Sequence, residues 1–193
     1  MSNIEELAEF LQPQKSILVL WDIQKMLVDA IFNKDEFLKN VQKLAPAARV
    51  KDIPLVMTKI TPLPERFESA ARKFMMKRRQ WSLNRSPDGF DLVVHPESQD
   101  IVMNKNTADI FIGTNFELML RNAGISTIVF TGISTEMGIE SSARAAGNRG
   151  FFPVIVADAV SSPSKEGHER SLANMKNLMP IVSTDELTGY WKK

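Results

Sequence analysis

Short apolar runs alternate with amphipathic stretches along most of this chain. Apolar runs with few polar positions are typical of strands buried on both faces, whereas apolar residues three and four apart are typical of helices. The predicted strands cover residues 16–21, 54–60, 100–104, 127–131, 152–157 and 181–182. The predicted helices cover residues 4–11, 36–50, 65–79, 115–122 and 165–178, with a further helix after the fourth strand, and Pro46 predicts a kink or early end in the second. This alternation predicts a mostly parallel, doubly wound sheet with helices on both faces.

Polar side chains follow several of these strands. Asp22 comes after the first strand, Lys105 after the third and Asp158 after the fifth. The carboxyl ends of parallel strands lie at one edge of a sheet, where ligands bind at the switch in strand order. An acid and a lysine there form either a working acid–base pair or a plain ion pair. Asp158 either joins that site or caps the turn after its strand.

The stretch 126–149 predicts a strand, a tight turn and a helix. Gly132 ends the apolar run, and Ser134 or Thr135 is placed to cap the helix. Backbone N–H groups at such a turn can bind an anion or an oxyanion. Gly138 lies one turn into the helix, where a glycine costs about 1 kcal/mol relative to alanine. Its two explanations are close packing of a neighbouring element and space for a ligand.

Other chemical signatures are weak. The G-x-S-x-G nucleophile motif fails because Glu136 stands at its last glycine. His95 and His168 lie far apart and in no metal-binding pattern, so we expect no metal and no cofactor. A basic segment is either a solvated helix face or the source of an arginine that reaches a substrate carboxylate. Its members are Arg66, Arg72, Lys73, Lys77, Arg78, Arg79 and Arg85.

Composition narrows the class of protein. The 193 residues suit a single domain covering residues 1–193, with 44% hydrophobic and 24% charged residues. The net charge of +1 gives no general attraction to nucleic acid, so we expect no nucleic-acid partner. We also expect no membrane association and a cytoplasmic location, because the acidic amphipathic start is no secretory signal and no apolar run reaches membrane-spanning length. The chain contains no cysteine, which removes disulfides, thiolate metal sites and a cysteine nucleophile.

Taken together, these motifs resemble the isochorismatase-like hydrolases, a family that includes cysteine amidases such as nicotinamidase. The resemblance runs from Ile17 to about Glu186. It is carried by LWDIQ with Asp22 and Gln24, VMNKNTADIFIGTN with Lys105, Phe111, Gly113 and Thr114, IVFTGISTEMGIESSARAA, and VIVADAVSS with Asp158. The resemblance implies a three-layer α/β/α sandwich with a Rossmann-like sheet of about six strands.

The resemblance also assigns roles to particular residues. It implies that Asp22 and Lys105 are catalytic, and that a cis peptide bond joins Ile133 to Ser134. It further implies that backbone N–H groups around Ile133, Ser134 and Gly138 form an oxyanion-binding turn. It leaves the substrate-binding residues unassigned.

One departure from the amidases bears on mechanism. Gly138 stands where the resemblance places the nucleophilic cysteine of the amidase branch, and the isochorismatase branch proper also lacks that cysteine. The resemblance to that branch implies that the aspartate protonates a vinyl ether, which water then cleaves. We therefore expect a hydrolase that acts on a small-molecule substrate, with isochorismate as one candidate. The alternative is a catalytically silent relative that binds a small ligand or serves an assembly.

The resemblance further predicts a homo-oligomer, either a dimer or a tetramer. Tyr190 and Trp191 are the residues that we expect to bury against a partner chain. Aromatic side chains are enriched in the buried centres of protein interfaces.

Overall fold

A computed structural model of the protein describes residues 4–78 and 87–192. Within these residues, six strands form one parallel sheet in the order β3-β2-β1-β4-β5-β6. The strands are β1 Ser16–Trp21, β2 Leu55–Ile60, β3 Ile101–Lys105, β4 Thr127–Ile133, β5 Phe152–Ser161 and β6 Ile181–Val182. The order runs outward from β1 in one direction and from β4 in the other, so the predicted doubly wound sheet is confirmed.

Helices connect the strands and cover both faces of the sheet. They are α1 Ile4–Phe10, α2 Lys25–Val28, α3 Lys34–Val50, α4 Ala70–Arg78, α5 Phe116–Asn122, α6 Glu140–Asn148, α7 Lys165–Met175 and α8 Thr184–Lys192. Short 3₁₀ turns occupy Pro13–Lys15, Glu65–Phe67 and Pro87–Phe90, and a π-helical turn occupies Thr135–Ile139. The predicted helix 65–79 is therefore divided at residues 68–69. Its last residue, Arg79, lies outside the described residues, as do Arg85 and the turn predicted at Asn84.

The alternation of side chains along each strand sorts the core into two layers. In β1, Leu18 and Leu20 pack with α1, α3 and α8 on one face. Ile17, Val19 and Trp21 pack with α5, α6 and α7 on the other face. Successive residues of a strand point to opposite faces, so a strand covered on both sides must be apolar throughout. This is why the sequence SILVLW forms a central strand.

Packing overrides two local signals. Helix α3 continues through Pro46 to Val50, although a proline removes one helical hydrogen bond. Its buried residues Phe37, Val41, Leu44, Ala45 and Ala48 lie along one face that packs on the sheet, and this packing holds the helix together. Strand β5 continues to Ser161 because residues 160–161 pair with the end of β4 after a register shift. The expectation that β5 ends before Asp158 is therefore wrong.

The end of the chain folds onto its own core. Helix α8 was not predicted, and its Trp191 is only 2% exposed and packs within the α3 face of the sheet. Tyr190 is partly buried against the same cluster. The expectation that Trp191 buries against a partner chain is therefore wrong, because its own domain already covers it. The same expectation for Tyr190 stays a prediction. Across residues 4–78 and 87–192, no helix is both long enough and apolar enough to cross a membrane.

Candidate active site

The site begins where the strand order reverses between β1 and β4. Asp22 directly follows β1, and its backbone lies in the left-handed region with a φ of 47°. A non-glycine residue in that region is strained, and such strain tends to occur at functional positions. Lys105 is the last residue of β3, two strands away. The turn after β4 lies on the other side of Asp22, since β4 pairs with β1 up to the register Trp21–Gly132.

Asp22 and Lys105 form a buried ion pair. The Lys105 Nζ atom lies 2.6 Å from Asp22 Oδ2, and the two side chains are only 1% and 6% exposed. Lys105 Nζ also lies 3.3 Å from the carbonyl oxygen of Thr107. The prediction that the two strand ends bring Asp22 and Lys105 together is confirmed.

Thr58, on the strand between them, was not predicted. Its hydroxyl group donates to Asp22 Oδ1 at 2.6 Å and accepts from the Asp22 backbone N–H at 3.0 Å. Thr58 fixes the carboxylate so that Oδ2 faces Lys105. A threonine within the apolar run LVMT was the available signal, because a polar group buried on a central strand needs a partner.

Burial shifts both pKa values toward the neutral forms. Desolvation raises the pKa of Asp22 above its ordinary value, against the lowering effects of Lys105, Thr58 and Arg72. Desolvation also lowers the pKa of Lys105, against the raising effect of Asp22. The two groups are thereby brought closer in proton affinity, which is the condition for a pair that exchanges a proton with a substrate.

Trp21 occupies the space next to Gly138. A Cβ atom built at position 138 would lie 2.3 Å from the Trp21 Nε1 atom and 2.4 Å from its Cε2 atom. Real Cβ atoms do not approach other atoms so closely, so only glycine fits beside the indole. Of the two explanations left open by the sequence, close packing of a neighbouring element is correct, because the indole fills the space in which a ligand would lie.

The turn after β4 contains the expected backbone geometry but not the expected cap. The Ile133–Ser134 peptide bond is cis, as the resemblance implied. Ser134 makes no side-chain capping bond to the π-helical turn that follows. The Thr135 hydroxyl lies 3.1 Å from the Ser161 carbonyl oxygen, to which it donates, and 2.8 Å from His168 Nδ1. The Thr135 hydroxyl thus bonds to β5 and α7 and does not cap the turn.

Asp158 does not join the pair. It lies within β5, and its Oδ1 atom accepts bonds from the backbone N–H and the hydroxyl group of Thr184, both at 2.8 Å. Asp158 therefore holds the first turn of α8. Of the two alternatives left open by the sequence, capping is correct in kind, although the capped element is a distant helix.

The basic segment contributes one residue near the pair. Arg72 donates to the carbonyl oxygen of Asn106 at 2.9 Å and lies 3.5 Å from Glu68 Oε2. Its charge acts on both Asp22 and Lys105. Arg66, Lys73, Lys77 and Arg78 are exposed. Among residues 4–78 and 87–192, no group of three histidine, aspartate or glutamate side chains could hold a metal ion.

Residues 16–186 match the protein-family model described as the Isochorismatase domain, a range that contains every strand of the sheet and the Asp22–Lys105 pair. The chain belongs to the isochorismatase family. The resemblance noted from the motifs is thereby confirmed at the level of the family.

Two relatives each match the chain over about half of its length. YecD of Escherichia coli O157:H7, an uncharacterized family member, is 43% identical over 89 residues, which are 46% of this chain and 47% of YecD. The ureidoacrylate amidohydrolase RutB of Methylobacterium radiotolerans is 38% identical over 89 residues, which are 46% of this chain and 34% of RutB. These matches span less than half the length of each relative.

Among solved structures, a cysteine hydrolase from Pseudomonas syringae pv. phaseolicola 1448A shares the fold. Its TM-score is 0.84 at 16% identity, over 93% of each chain. The fold class predicted for this isochorismatase-family chain is therefore confirmed.

Proposed function

We propose that this protein is a hydrolase that acts on a small metabolite with Asp22 and Lys105 as its acid–base pair and forms no covalent enzyme intermediate. The observation that carries the proposal is the buried contact of 2.6 Å between Lys105 Nζ and Asp22 Oδ2 at the carboxyl edge of the sheet. We place Gly138 at the position of the amidase nucleophile. Since the chain has no cysteine, thioester chemistry is unavailable to it.

The pair suits general acid catalysis. Asp22, whose pKa is raised by burial, can carry a proton and give it to a substrate. Lys105 then stabilises the carboxylate that remains and helps to return a proton to it. Thr58 keeps the other carboxylate oxygen occupied, so that proton transfer takes place at Oδ2.

Cleavage of a vinyl ether such as isochorismate fits this pair. The proton from Asp22 adds to the terminal carbon of the vinyl group, and water adds to the oxocarbenium carbon that results. As water adds, it loses one proton, which returns to Asp22. The hemiketal then breaks its bond between carbon and the ring oxygen, and the proton of its hydroxyl group passes to that leaving oxygen, which gives pyruvate and a dihydrodiol. Such proton transfer contributes about 10²- to 10⁴-fold to a rate.

A second candidate is a member that binds a small ligand without turning it over. The observation in its favour is the closure of the site. The Asp22 and Lys105 side chains are almost fully buried, and Trp21 fills the space beside Gly138.

The first prediction concerns turnover. We expect the protein to hydrolyse isochorismate or a member of a panel of small amides that includes ureidoacrylate. We expect Asp22→Asn and Lys105→Met each to lower kcat by about 10²- to 10⁴-fold, because each removes one half of the pair. The exposed variant Lys77→Met is the matched control and should retain full activity.

Two results would contradict this proposal in different ways. Turnover that survives Asp22→Asn undiminished would exclude the assigned acid. Absence of turnover for the whole panel, together with calorimetric binding of one of its compounds, would favour the ligand-binding alternative.

A further inference from the structure

The indole ring of Trp21 lies between Gly138 and the ammonium group of Lys105. Trp21 is only 1% exposed, and the Lys105 Nζ atom lies 4.0 Å from the centroid of its ring. Since a lysine ammonium has three N–H donors, its partners can be counted. Asp22 Oδ2 accepts one and the Thr107 carbonyl oxygen accepts a second. The face of the indole ring is a third neighbour of the same ammonium group.

This environment differs from that of an ordinary core tryptophan. The Trp21 side chain packs among apolar residues of the α5–α7 face, such as Ile139 and Phe130, yet it presents a ring face to a buried cation. The negative face of an aromatic ring attracts a cation, and the attraction is larger where water is excluded. The indole therefore favours the charged form of Lys105, whereas burial disfavours it.

Gly138 makes this arrangement possible. Any side chain at position 138 would displace the indole, because even a Cβ atom would lie 2.3 Å from Trp21 Nε1. The large side chain of Trp21 thus occupies the volume that a side chain at position 138 would need. The result is an aromatic surface beneath the Lys105 ammonium.

We propose that Trp21 is a positioning residue for the Asp22–Lys105 pair: its ring face binds the Lys105 ammonium, holds Nζ against Asp22 Oδ2 and stabilises the protonated lysine. The proposal rests on the proposed function for its effect on turnover. The contact itself can be tested without any substrate.

The second prediction compares Trp21→Phe with Trp21→Leu. Both replacements are smaller than tryptophan and relieve the crowding beside Gly138, but only phenylalanine retains a ring face. We expect the pKa of Lys105 to fall by about one unit more in Trp21→Leu than in Trp21→Phe, because the charged lysine loses its aromatic partner. Because the charged Lys105 is needed to stabilise the Asp22 carboxylate, the alkaline limb of the pH profile of kcat/KM should move to lower pH as well.

The direct readout is the ¹³Cε resonance of Lys105 in lysine-labelled protein, followed through a pH titration. The resonance is assigned by its absence from Lys105→Met. If Trp21→Leu does not fold, the double variant Trp21→Leu/Gly138→Ala restores part of the lost volume and is compared with Trp21→Phe/Gly138→Ala.

Each outcome separates the two proposals. Equal titration of Lys105 in the phenylalanine and leucine variants would overturn the role of Trp21, whatever the activity. If the pKa of Lys105 differs between the two variants but the protein turns over no substrate, the contact between Trp21 and Lys105 is supported and only the proposed function is overturned. A difference in titration with a matching shift of the pH profile supports both.

Discussion

Gly138 lacks a side chain because a neighbouring indole occupies the volume that one would fill. It stands in the π-helical turn after β4. A glycine there adds conformational freedom to the unfolded chain and so lowers the free energy of unfolding. The contact with Trp21 explains why that disadvantage is tolerated. A glycine near a site thus does not by itself indicate a space for a ligand.

The third prediction tests this explanation with two glycines of the same helical segment. Gly138→Ala should lower the free energy of unfolding by about 1–3 kcal/mol or more, because the added methyl group overlaps a rigid, buried ring. Gly147→Ala is the control, since a Cβ atom at that exposed position in α6 meets nothing within 4 Å. It should be neutral or raise the free energy of unfolding by up to about 1 kcal/mol. Urea-induced unfolding measures both, and equal effects would contradict the explanation.

At the scale of elements, α8 depends on a side chain from β5. The Asp158 carboxylate accepts the backbone N–H and the hydroxyl group of Thr184 at the first residue of that helix. A backbone N–H in the first turn of a helix has no partner within that helix, and the Asp158 carboxylate supplies one. It also ties the final helix to the sheet strand on which that helix packs.

The fourth prediction follows from this bond. Asp158→Ala should lower the free energy of unfolding by about 1 kcal/mol, as expected for the loss of a helix cap, without changing turnover or the titration of Lys105. Thr184→Val removes the hydroxyl partner, so the effects of the two changes should be less than additive in a double-mutant cycle. A loss of activity without a loss of stability would instead indicate that Asp158 belongs to the active site.

At the scale of the whole molecule, the sequence predicted the sheet more completely than it predicted the site. Short apolar runs located the strands and the 3.6-residue period located most helices, and the rule that ligands bind at strand ends brought Asp22 to Lys105. Element ends depended on distant partners, as with the extension of β5 along β4 and the persistence of α3 through Pro46.

The roles of Thr58 and Trp21 were not predictable for a related reason. Thr58 differs from its neighbours only as a polar residue in an apolar run, and Trp21 looks like an ordinary core residue. The pairing of neighbouring strands is what places each of them beside the pair. Periodicity identifies which residues are buried, but it does not identify which buried neighbours they meet.

The fifth prediction concerns stability of the whole domain against acid. His168 is buried against Thr135 and the edge of the Phe32 ring, and burial lowers its pKa below the ordinary value, against the raising effects of Glu136 and Glu169. The unfolded chain therefore binds a proton at higher pH than the folded chain does. The stability that results is present above the ordinary histidine range and is lost as pH falls through the lowered pKa.

Urea-induced unfolding between about pH 7 and pH 5 measures this effect. We expect the free energy of unfolding to fall with pH in the unaltered protein and to fall less steeply in His168→Gln, in which the amide can still bond to Thr135. His95→Gln, at an exposed position, is the control and should keep the original slope. The same slope in His168→Gln would show that another group is responsible.

The contact between Trp21 and Gly138 also constrains how this chain could change over generations. A thiol introduced at position 138 would collide with the indole, so that substitution is unfavourable while Trp21 is present. Replacement of Trp21 by a smaller residue would first leave a cavity without any steric overlap. A cysteine at position 138 could then occupy that cavity. The two positions are therefore epistatic. If position 138 changes first, the intermediate protein has an overpacked core, and if position 21 changes first, it has a cavity instead.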